Sequence, residues 1–388
     1  MNTAAATLPE TPEPARAGAN PARLLLAPLT YPLAAAAFAL QFTVWMALRL
    51  LSQPEYAWVV LAGIVYVFRG NYWLLPLYAV ESFLLVQVAT FLFDVVHFVL
   101  HRMAESRSRL LRAIGAMHTM HHRFLDEELR IHDELRGANN THHVLPEFAT
   151  HVIVSLAAWP LLGPIPVART LLLEVVTLAR FFRAGGNDAN HVAHPVVRAT
   201  RPTLFVDTWY HSLHHVWPSE YYSSINAGFD RMFGYGCHVR GRRVALAGDA
   251  GVGAGAFGAE LARLLARAGA VVTPFADGEL RDLDVLVIAG GASAWRDELI
   301  ERFRLATAGR RFPVEVWAIG GDREFAASGR RWYGDERLYY RHVVAPSGAG
   351  AGAARAAWFL IRRGFRYVPV DAAGLGLLGF FKFRFWTR

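Results

Sequence analysis

Histidine is the residue type whose spacing carries the most chemical information in this 388-residue chain, which contains sixteen histidines. The pattern HxxHH occurs twice, and an HxxxH pair precedes the first occurrence. Residues three or four apart share one face of a helix, so each group can turn its imidazoles toward one point. The groups are, in chain order, His97 and His101; His118, His121 and His122; His191 and His194; and His211, His214 and His215.

This histidine pattern predicts a metal centre, because neutral imidazole is a good ligand for iron, copper and zinc. Eight to ten histidines exceed the needs of one ion, so we expect two metals. The HExxH pattern of zinc peptidases is missing, since Phe98 and Thr119 stand at the second position of their groups, and the ExxH pairs of carboxylate di-iron bundles do not occur. An all-histidine dinuclear site favours activation of O2 against an unactivated C–H bond. We interpret four histidines outside these groups as loop or interface residues: His132, His142, His143 and His151.

Two carboxylates stand one helical turn before a histidine group. Asp94 precedes His97, and Asp207 precedes His211. Each could accept the outer N–H of a ligand imidazole and fix its tautomer. A charge at a helix end that faces water is the equally weighted alternative for both residues.

Long apolar segments surround the first two histidine groups. With 54% hydrophobic and 19% charged residues, the chain is too apolar for a soluble two-domain protein, which predicts a membrane part and a soluble part. Segment 24–47 has the length of a bilayer span and no charge, and segment 72–100 is long enough to cross. Segment 56–68 is short, and 148–166 and 167–182, interrupted by prolines, predict a helical hairpin that dips into or crosses the bilayer.

Charge and composition suggest the orientation and the domain limits. Five arginines between 101 and 123 place that loop and its histidines on the cytoplasmic side of a multi-pass protein, which we assign to a bacterial inner membrane. The predicted parts are a disordered tail at 1–22, a membrane histidine domain at 23–240 and a second domain at 241–388, whose aromatic and basic end LGLLGFFKFRFWTR is expected to lie on the membrane surface. The net charge of +8 comes almost entirely from arginine, which we attribute to coding bias and a membrane surface, so no nucleic-acid partner is expected. The only cysteine, Cys237, excludes intramolecular disulfides and cysteine-ligated iron–sulfur clusters.

The order and spacing of the histidine groups resemble the fatty acid hydroxylase and sterol desaturase superfamily. The likeness covers roughly residues 60–240 and includes the closing stretch HSLHHVWPSEYYSSINAGFDRMFG, with its tyrosines and the DRxFG tail at Asp230–Gly234. It implies an α-helical membrane domain with a di-iron centre, held by the ten histidines of the four groups. Asn187 is an alternative member of the third group. The resemblance also implies a long-chain membrane lipid as substrate, O2, and an external electron donor such as a ferredoxin, or a b-type cytochrome with its reductase.

From about residue 240, short β-type runs alternate with Gly-rich turns and amphipathic helix, which predicts a small α/β Rossmann-like domain. Gly253, Gly255 and Gly258 form GxGxxG between a strand and a helix, a pattern that lets backbone approach a pyrophosphate. Asp277 is the nearest acidic residue for a ribose. The pattern therefore predicts an NAD(P) site in this domain.

The element order of this second domain resembles a shortened short-chain dehydrogenase/reductase. That family's catalytic Tyr-x-x-x-Lys would fall on Tyr333–Arg337, where arginine replaces the lysine, and the preceding serine is replaced by glycine. The departures favour a degenerate nucleotide-binding or structural domain over an active reductase.

The functional prediction is O2-dependent hydroxylation or desaturation of a long-chain lipid at the di-iron centre. Two alternatives stay open: a membrane-anchored NAD(P)-dependent lipid carbonyl reductase, and a non-catalytic lipid- or metal-binding scaffold.

Overall fold

A computed structural model describes residues 75–186, 191, 193–194, 196–199, 205–248, 255–290, 293–321, 329–345 and 349–370. We call residues 75–239 the helical part and residues 240–370 the α/β part. The described residues all belong to one compact unit, Ala62–Arg388. The predicted tail at 1–22, the apolar segments 24–47 and 56–68, Asn187, Gly253 and the predicted membrane-surface tail at the end of the chain lie outside the described residues.

Two long helices open the helical part and position the first five histidines of the motifs. Helix α1 spans Leu75–Ala104 and helix α2 spans Arg109–Phe124, where the side chain of Ser108 caps the amino end. They pack so closely at Gly115 that an added Cβ atom would lie 2.2 Å from the backbone nitrogen of Ala104. The close contact brings the carboxyl end of α1 against the face of α2 that carries its histidines.

A second group of helices forms the predicted hairpin. The turn between its arms is at Gly163, whose φ of 77° suits glycine, and the Ser82 hydroxyl donates to the Pro166 carbonyl across to α1 (3.2 Å). His151 and Glu174, one from each arm, form a buried ion-pair contact of 2.8 Å. The elements are α3 (Arg136–Asn139), a π-helical turn (Asn140–Val144), α4 (Leu145–Ala157), α5 (Trp159–Leu162) and α6 (Pro164–Arg183).

Two short helices carry the last histidine group and the segment after it. Helix α7 spans Thr208–Val216, and the Asp207 carboxylate caps it by accepting the Tyr210 N–H (2.9 Å). Helix α8 spans Gly228–Phe233 and ends in the left-handed Gly234. Most of α7 is buried, so its three histidines face the interior rather than water.

The α/β part is a six-stranded, fully parallel sheet with helices on both faces, as the alternating pattern predicted. Helices α9 and α12 cover one face of the sheet, and α10 covers the other. The strands are β1 (Arg243–Gly248), β2 (Val271–Pro274), β3 (Val285–Ala289), β4 (Val314–Gly320), β5 (Leu338–Val344) and β6 (Tyr367–Pro369). The helices are α9 (Ala256–Arg267), α10 (Ser293–Ala306), α11 (Arg330–Tyr333) and α12 (Ala351–Arg362).

The strand order is β2-β1-β3-β4-β5-β6. It follows the flavodoxin-like order 2-1-3-4-5 rather than the dinucleotide-binding order 3-2-1-4-5-6, and both place ligands outside the carboxyl ends of the strands. The point where the order reverses lies between β1 and β3. Gly255 and Gly258 lie at the amino end of α9, the helix that follows β1, and are therefore at this carboxyl edge.

The helical part packs against the opposite, amino edge of the sheet. The Arg311 carbonyl, just before β4, accepts the Val197 N–H (3.0 Å), and the Glu336 carbonyl, just before β5, accepts the Ala199 N–H (2.7 Å). The Arg362 carbonyl, before β6, accepts the Gly236 N–H (2.7 Å). These contacts leave the carboxyl edge on the far side of the sheet from the histidines.

One helix in the described part of the chain, Pro76–Ala104, is long and apolar enough to cross a bilayer. It corresponds to the third predicted apolar segment. The hairpin helices α4 and α6 do not meet that criterion, so the described residues do not support the expectation of several spans.

Candidate metal centre

Nine of the ten histidines from the four groups come together as two adjacent sets, each able to hold a metal ion. Within each set, one nitrogen per residue lies within 4.8 Å of the others. The sets are neighbours, since the rings of His122 and His215, one from each, are 4.7 Å apart. The five-histidine set contains His97, His101, His118, His122 and His214, and the four-histidine set contains His121, His191, His211 and His215.

His101 is the centre of the five-histidine set. Its Nε2 lies 3.1 Å from the Nε2 atoms of His118, His122 and His214, and 3.3 Å from that of His97. A single N–H on His101 could bridge only one of these four contacts. A metal ion would satisfy all five nitrogens together.

Hydrogen bonds to the outer nitrogens fix which ring atom faces the interior. Nδ1 of His214 donates to the Glu220 carbonyl (2.8 Å), and Nδ1 of His215 donates to the Leu125 carbonyl (2.7 Å). Because a carbonyl only accepts, these Nδ1 atoms carry the proton and each Nε2 presents a lone pair. The Nε2 of His215 is buried and has no hydrogen-bond partner.

The histidine nitrogens that face one another are not protonated either. Burial, reinforced by neighbouring histidines, holds the pKa of His118, His122, His214 and His215 well below the ordinary value, so these rings are neutral near pH 7. Neutral imidazole is the form that binds metals.

The nitrogen separations also match a metal site. Imidazole nitrogens bind at about 2.0–2.1 Å, so two on one ion would be about 3.0 Å apart at a right angle and about 3.4 Å apart at the tetrahedral angle. The contacts around His101 range from 3.1 to 3.3 Å, and His191 Nε2 lies 3.1 Å from His121 Nε2 and 3.0 Å from His211 Nε2. The donor set therefore fits two ions, one in each set.

Three predicted site residues in the described part have other positions. His194 lies outside both sets and packs against the Trp209 ring at 3.8 Å. Asp207 serves as the cap of α7. Asp94 is fully buried one turn before His97, where its Oδ1 accepts both the backbone N–H (3.1 Å) and the hydroxyl (2.8 Å) of Ser224.

Two residues near the four-histidine set were not identified from the sequence. The Asn139 side chain accepts the Nδ1–H of His121 (2.9 Å), as a carbonyl does for His214 and His215. His143, which we had interpreted as a loop or interface residue, is buried and stacks on His121 at 3.6 Å with the rings 11° from parallel. It lies in the π-helical turn, a distortion often found at functional sites. The pair His142–His143 directly before an apolar segment was the available sequence signal.

The DRxFG tail holds the segment after the last histidines in place. The Asp230 carboxylate accepts the hydroxyl of Tyr210 (2.7 Å) and the backbone N–H groups of Tyr222 and Ser223 (both 3.0 Å). Burial raises the pKa of Asp230 to about 6, against these hydrogen bonds, which lower it. The Tyr222 ring then lies over the five-histidine set, 5.1 Å from His214 and 5.5 Å from His101.

The cofactor residues predicted in the α/β part are separated by the fold. Gly255 and Gly258 begin α9 directly after β1, and Asp277 follows β2, so all three are at the carboxyl edge. Tyr333 ends α11 just before β5, at the amino edge, where the Arg366 guanidinium stacks on its ring at 3.7 Å. The structure therefore does not bring Tyr333 to the glycine turn.

Comparison with known proteins gives no match: neither a family model, nor a curated protein, nor a solved structure matches the chain.

Proposed function

We propose that this protein is an O2-dependent lipid oxidase with two iron ions, one in each histidine set. The observation that supports the proposal most strongly is the convergence of nine buried or half-buried imidazoles into two adjoining sets. Histidines from three helices and one connecting segment meet there, although up to 118 residues of chain separate them. Burying so many imidazoles away from water costs free energy, which bound cations would offset.

The residues of the site would hold, orient and shield the metals. Five and four imidazoles leave coordination positions free on two six-coordinate ions, which favours a catalytic role over a structural one. When bound, two iron ions supply the oxidising power that a saturated C–H bond requires. The carbonyls of Glu220 and Leu125 and the amide of Asn139 fix the imidazole tautomers, and Tyr222 limits water access to the five-histidine set.

A lipid substrate is supported by how the site meets the surface. The four-histidine set is wholly buried, whereas His101 and His122 leave the five-histidine set partly open. The same helices expose apolar side chains: Val88, Val96 and Val99 on α1, and Leu110 and Met117 on α2. Exposed apolar faces of this extent are typical of contact with a bilayer or a hydrophobic ligand. A chain bound at this surface would present its C–H bonds to the open set.

The reaction needs an external reductant. Hydroxylation consumes one O2, two electrons and two protons, and converts R–H into R–OH and one water. Desaturation uses the same inputs, removes two hydrogens from adjacent carbons and forms two waters. We propose that a one-electron carrier protein supplies the electrons, and that the histidine site faces the cytoplasm of a bacterial inner membrane.

Metal analysis of the purified full chain is the first test. We expect about two iron ions per chain, with His214→Ala and His121→Ala each removing metal from a different set. His132→Ala is the matched control, because His132 is half exposed and pairs with Asp126 outside both sets. Retention of full metal content by both site variants would end the proposal.

The second test measures the chemistry. Lipids from a host that produces the wild-type protein under 18O2 are compared with those from a host that produces His214→Ala. A product with one 18O atom indicates hydroxylation, and a product two hydrogens lighter indicates desaturation. If the two lipid profiles are identical while iron is present, the metal-binding scaffold replaces the oxidase.

A further inference from the structure

A cleft with a volume of about 380 Å³ lies where the helical part meets the amino edge of the sheet. Trp217, two residues after the last motif histidine, lines one side, and Phe312, just before β4, lines the other at a ring distance of 5.6 Å. Four arginines, Arg240, Arg242, Arg310 and Arg311, also line the cleft. None of these residues belongs to the two histidine sets, so the cleft is a separate feature.

Arg242, which lines the cleft, also belongs to a buried cluster in which positive charge exceeds negative charge. Among the residues that the structure describes, Glu315 is the only carboxylate in this cluster, and it bonds to Arg242 (2.7 Å) and to Arg341 (3.1 Å). All three side chains are at most 10% exposed. A second buried guanidinium beside a single carboxylate leaves one positive charge uncompensated, which is costly in an interior unless an anion is near.

Other residues that line the cleft add to this excess of positive charge. The Asp284 carboxylate pairs with the Arg310 guanidinium (2.6 Å) and accepts the backbone N–H of Arg243 (2.8 Å). Arg240 and Arg311 are in no ion pair with a described carboxylate. His238 contributes no charge at neutral pH, because burial and Arg242 lower its pKa to about 4. Four guanidinium groups and one carboxylate therefore line the cleft, a surplus of three positive charges.

We propose that this cleft is a binding site for a phosphate monoester, held by Arg240 and Arg311 above the buried Arg242. A phosphate monoester carries close to two negative charges at neutral pH, and arginine binds its oxygens in a bidentate manner. The cleft volume is within the range of small-ligand sites. The group is either a soluble phosphate ester or the headgroup of a lipid such as phosphatidic acid, and both offer the same chemistry to the arginines.

The test uses the full-length, metal-loaded protein and the variant Arg240→Gln/Arg311→Gln. Glycerol 3-phosphate is titrated by calorimetry at constant ionic strength, and thermal unfolding is followed in nanodiscs of phosphatidylcholine with and without phosphatidic acid. We expect the variant to bind the probe about tenfold or more weakly, since each lost bond to a charged group weakens binding by a factor of that order. Arg311→Lys, which keeps the charge without the bidentate geometry, should retain part of the affinity.

The matched control is Arg267→Gln/Arg302→Gln, which removes the same charge from exposed positions on α9 and α10. Binding of glycerol 3-phosphate that only the cleft variant loses identifies a soluble ester. A higher unfolding temperature in phosphatidic acid nanodiscs alone, again lost only in the cleft variant, identifies a lipid headgroup. Absence of both effects in the wild type, or equal effects in the cleft variant and the control, overturns the proposal.

Discussion

At the scale of single residues, the outer nitrogens of the histidines decide how the candidate site is organised. His121, His214 and His215 each have Nδ1 bound to an oxygen, but only His121 uses a side chain for this purpose. Partners of this kind orient ligand imidazoles and raise their basicity, and their loss typically weakens metal binding by about 10–100-fold. A substitution at Asn139 can therefore remove this hydrogen-bond acceptor, whereas the two backbone carbonyls stay whatever the side chain.

We predict that Asn139→Leu lowers the affinity of the four-histidine set for Fe²⁺ by about tenfold or more. The reason is that the His121 ring loses the acceptor that fixes its tautomer. Chelator competition followed by iron analysis measures the effect. Asn139→Asp, which keeps an acceptor of similar size, is the control and should retain most of the affinity; equal losses in the two variants would contradict the orienting role.

The residue scale also shows what spacing can and cannot predict. Spacing fixes the relative positions of the rings within each HxxHH group on a helix, but how the distant groups meet depends on the fold. His194 lies outside both sets, because the direction of a connecting segment depends on tertiary contacts such as its packing on Trp209. His143 and Asn139 were missed for the same reason: a π-helical turn and a side-chain amide have no repeating sequence pattern.

At the scale of elements, the distance between α1 and α2 sets the geometry of the five-histidine set, because both helices contribute to it. Gly115, three residues before His118, permits this distance. We predict that Gly115→Ala lowers the free energy of unfolding by about 1–3 kcal/mol, as overpacking in a close contact does. It should also reduce the iron bound by the five-histidine set, since α2 must move away from α1.

Thermal unfolding and iron content measure this effect together. Gly137→Ala is the matched control, since an added Cβ at this exposed position of α3 meets nothing within 4 Å. That change should leave metal content unaltered. Wild-type stability and iron content in Gly115→Ala would show that the separation of the helices does not control the site.

Most elements were predictable, and their arrangement was less so. The runs RVALAG, AVVTPF, DVLVIAG and VEVWAIG correspond to β1 to β4, because buried parallel strands read as continuous apolar runs. Strand β5 was not recognised, since Arg341 and His342 interrupt its apolar pattern while both are buried. Glu315 compensates the charge of Arg341 from the neighbouring strand, and that strand pairing is known only from the fold.

At the scale of the whole molecule, the buried charge cluster joins the sheet to the helical part. Burial alone would raise the pKa of Glu315, but Arg341 and Arg242 outweigh it and lower the pKa to about 2 from the ordinary 4.5. The cluster therefore stabilises the folded protein fully above pH 4.5, and this contribution is lost as the pH falls from 4.5 toward 2.

We predict that Glu315→Gln lowers the free energy of unfolding at pH 7 by about 3 kcal/mol, because it leaves two buried guanidinium groups without a countercharge. Glu301→Gln is the control: its pairs with Arg304 and Arg331 are partly exposed, so its loss should cost at most about 1 kcal/mol. Denaturant unfolding at several pH values measures both. The difference between wild type and Glu315→Gln should shrink below pH 4.5, and a constant difference down to pH 2 would contradict the assigned ionisation.

The docking of the sheet by its amino edge has a consequence for electron supply. The strands put roughly 20 Å of backbone, at about 3.3 Å per residue, between the docked rim and the rim where α/β folds receive nucleotides. A nicotinamide bound on that far rim could not hand a hydride to the histidine sets of its own chain. Under the proposed oxidase function, the electrons would then come from a separate carrier molecule.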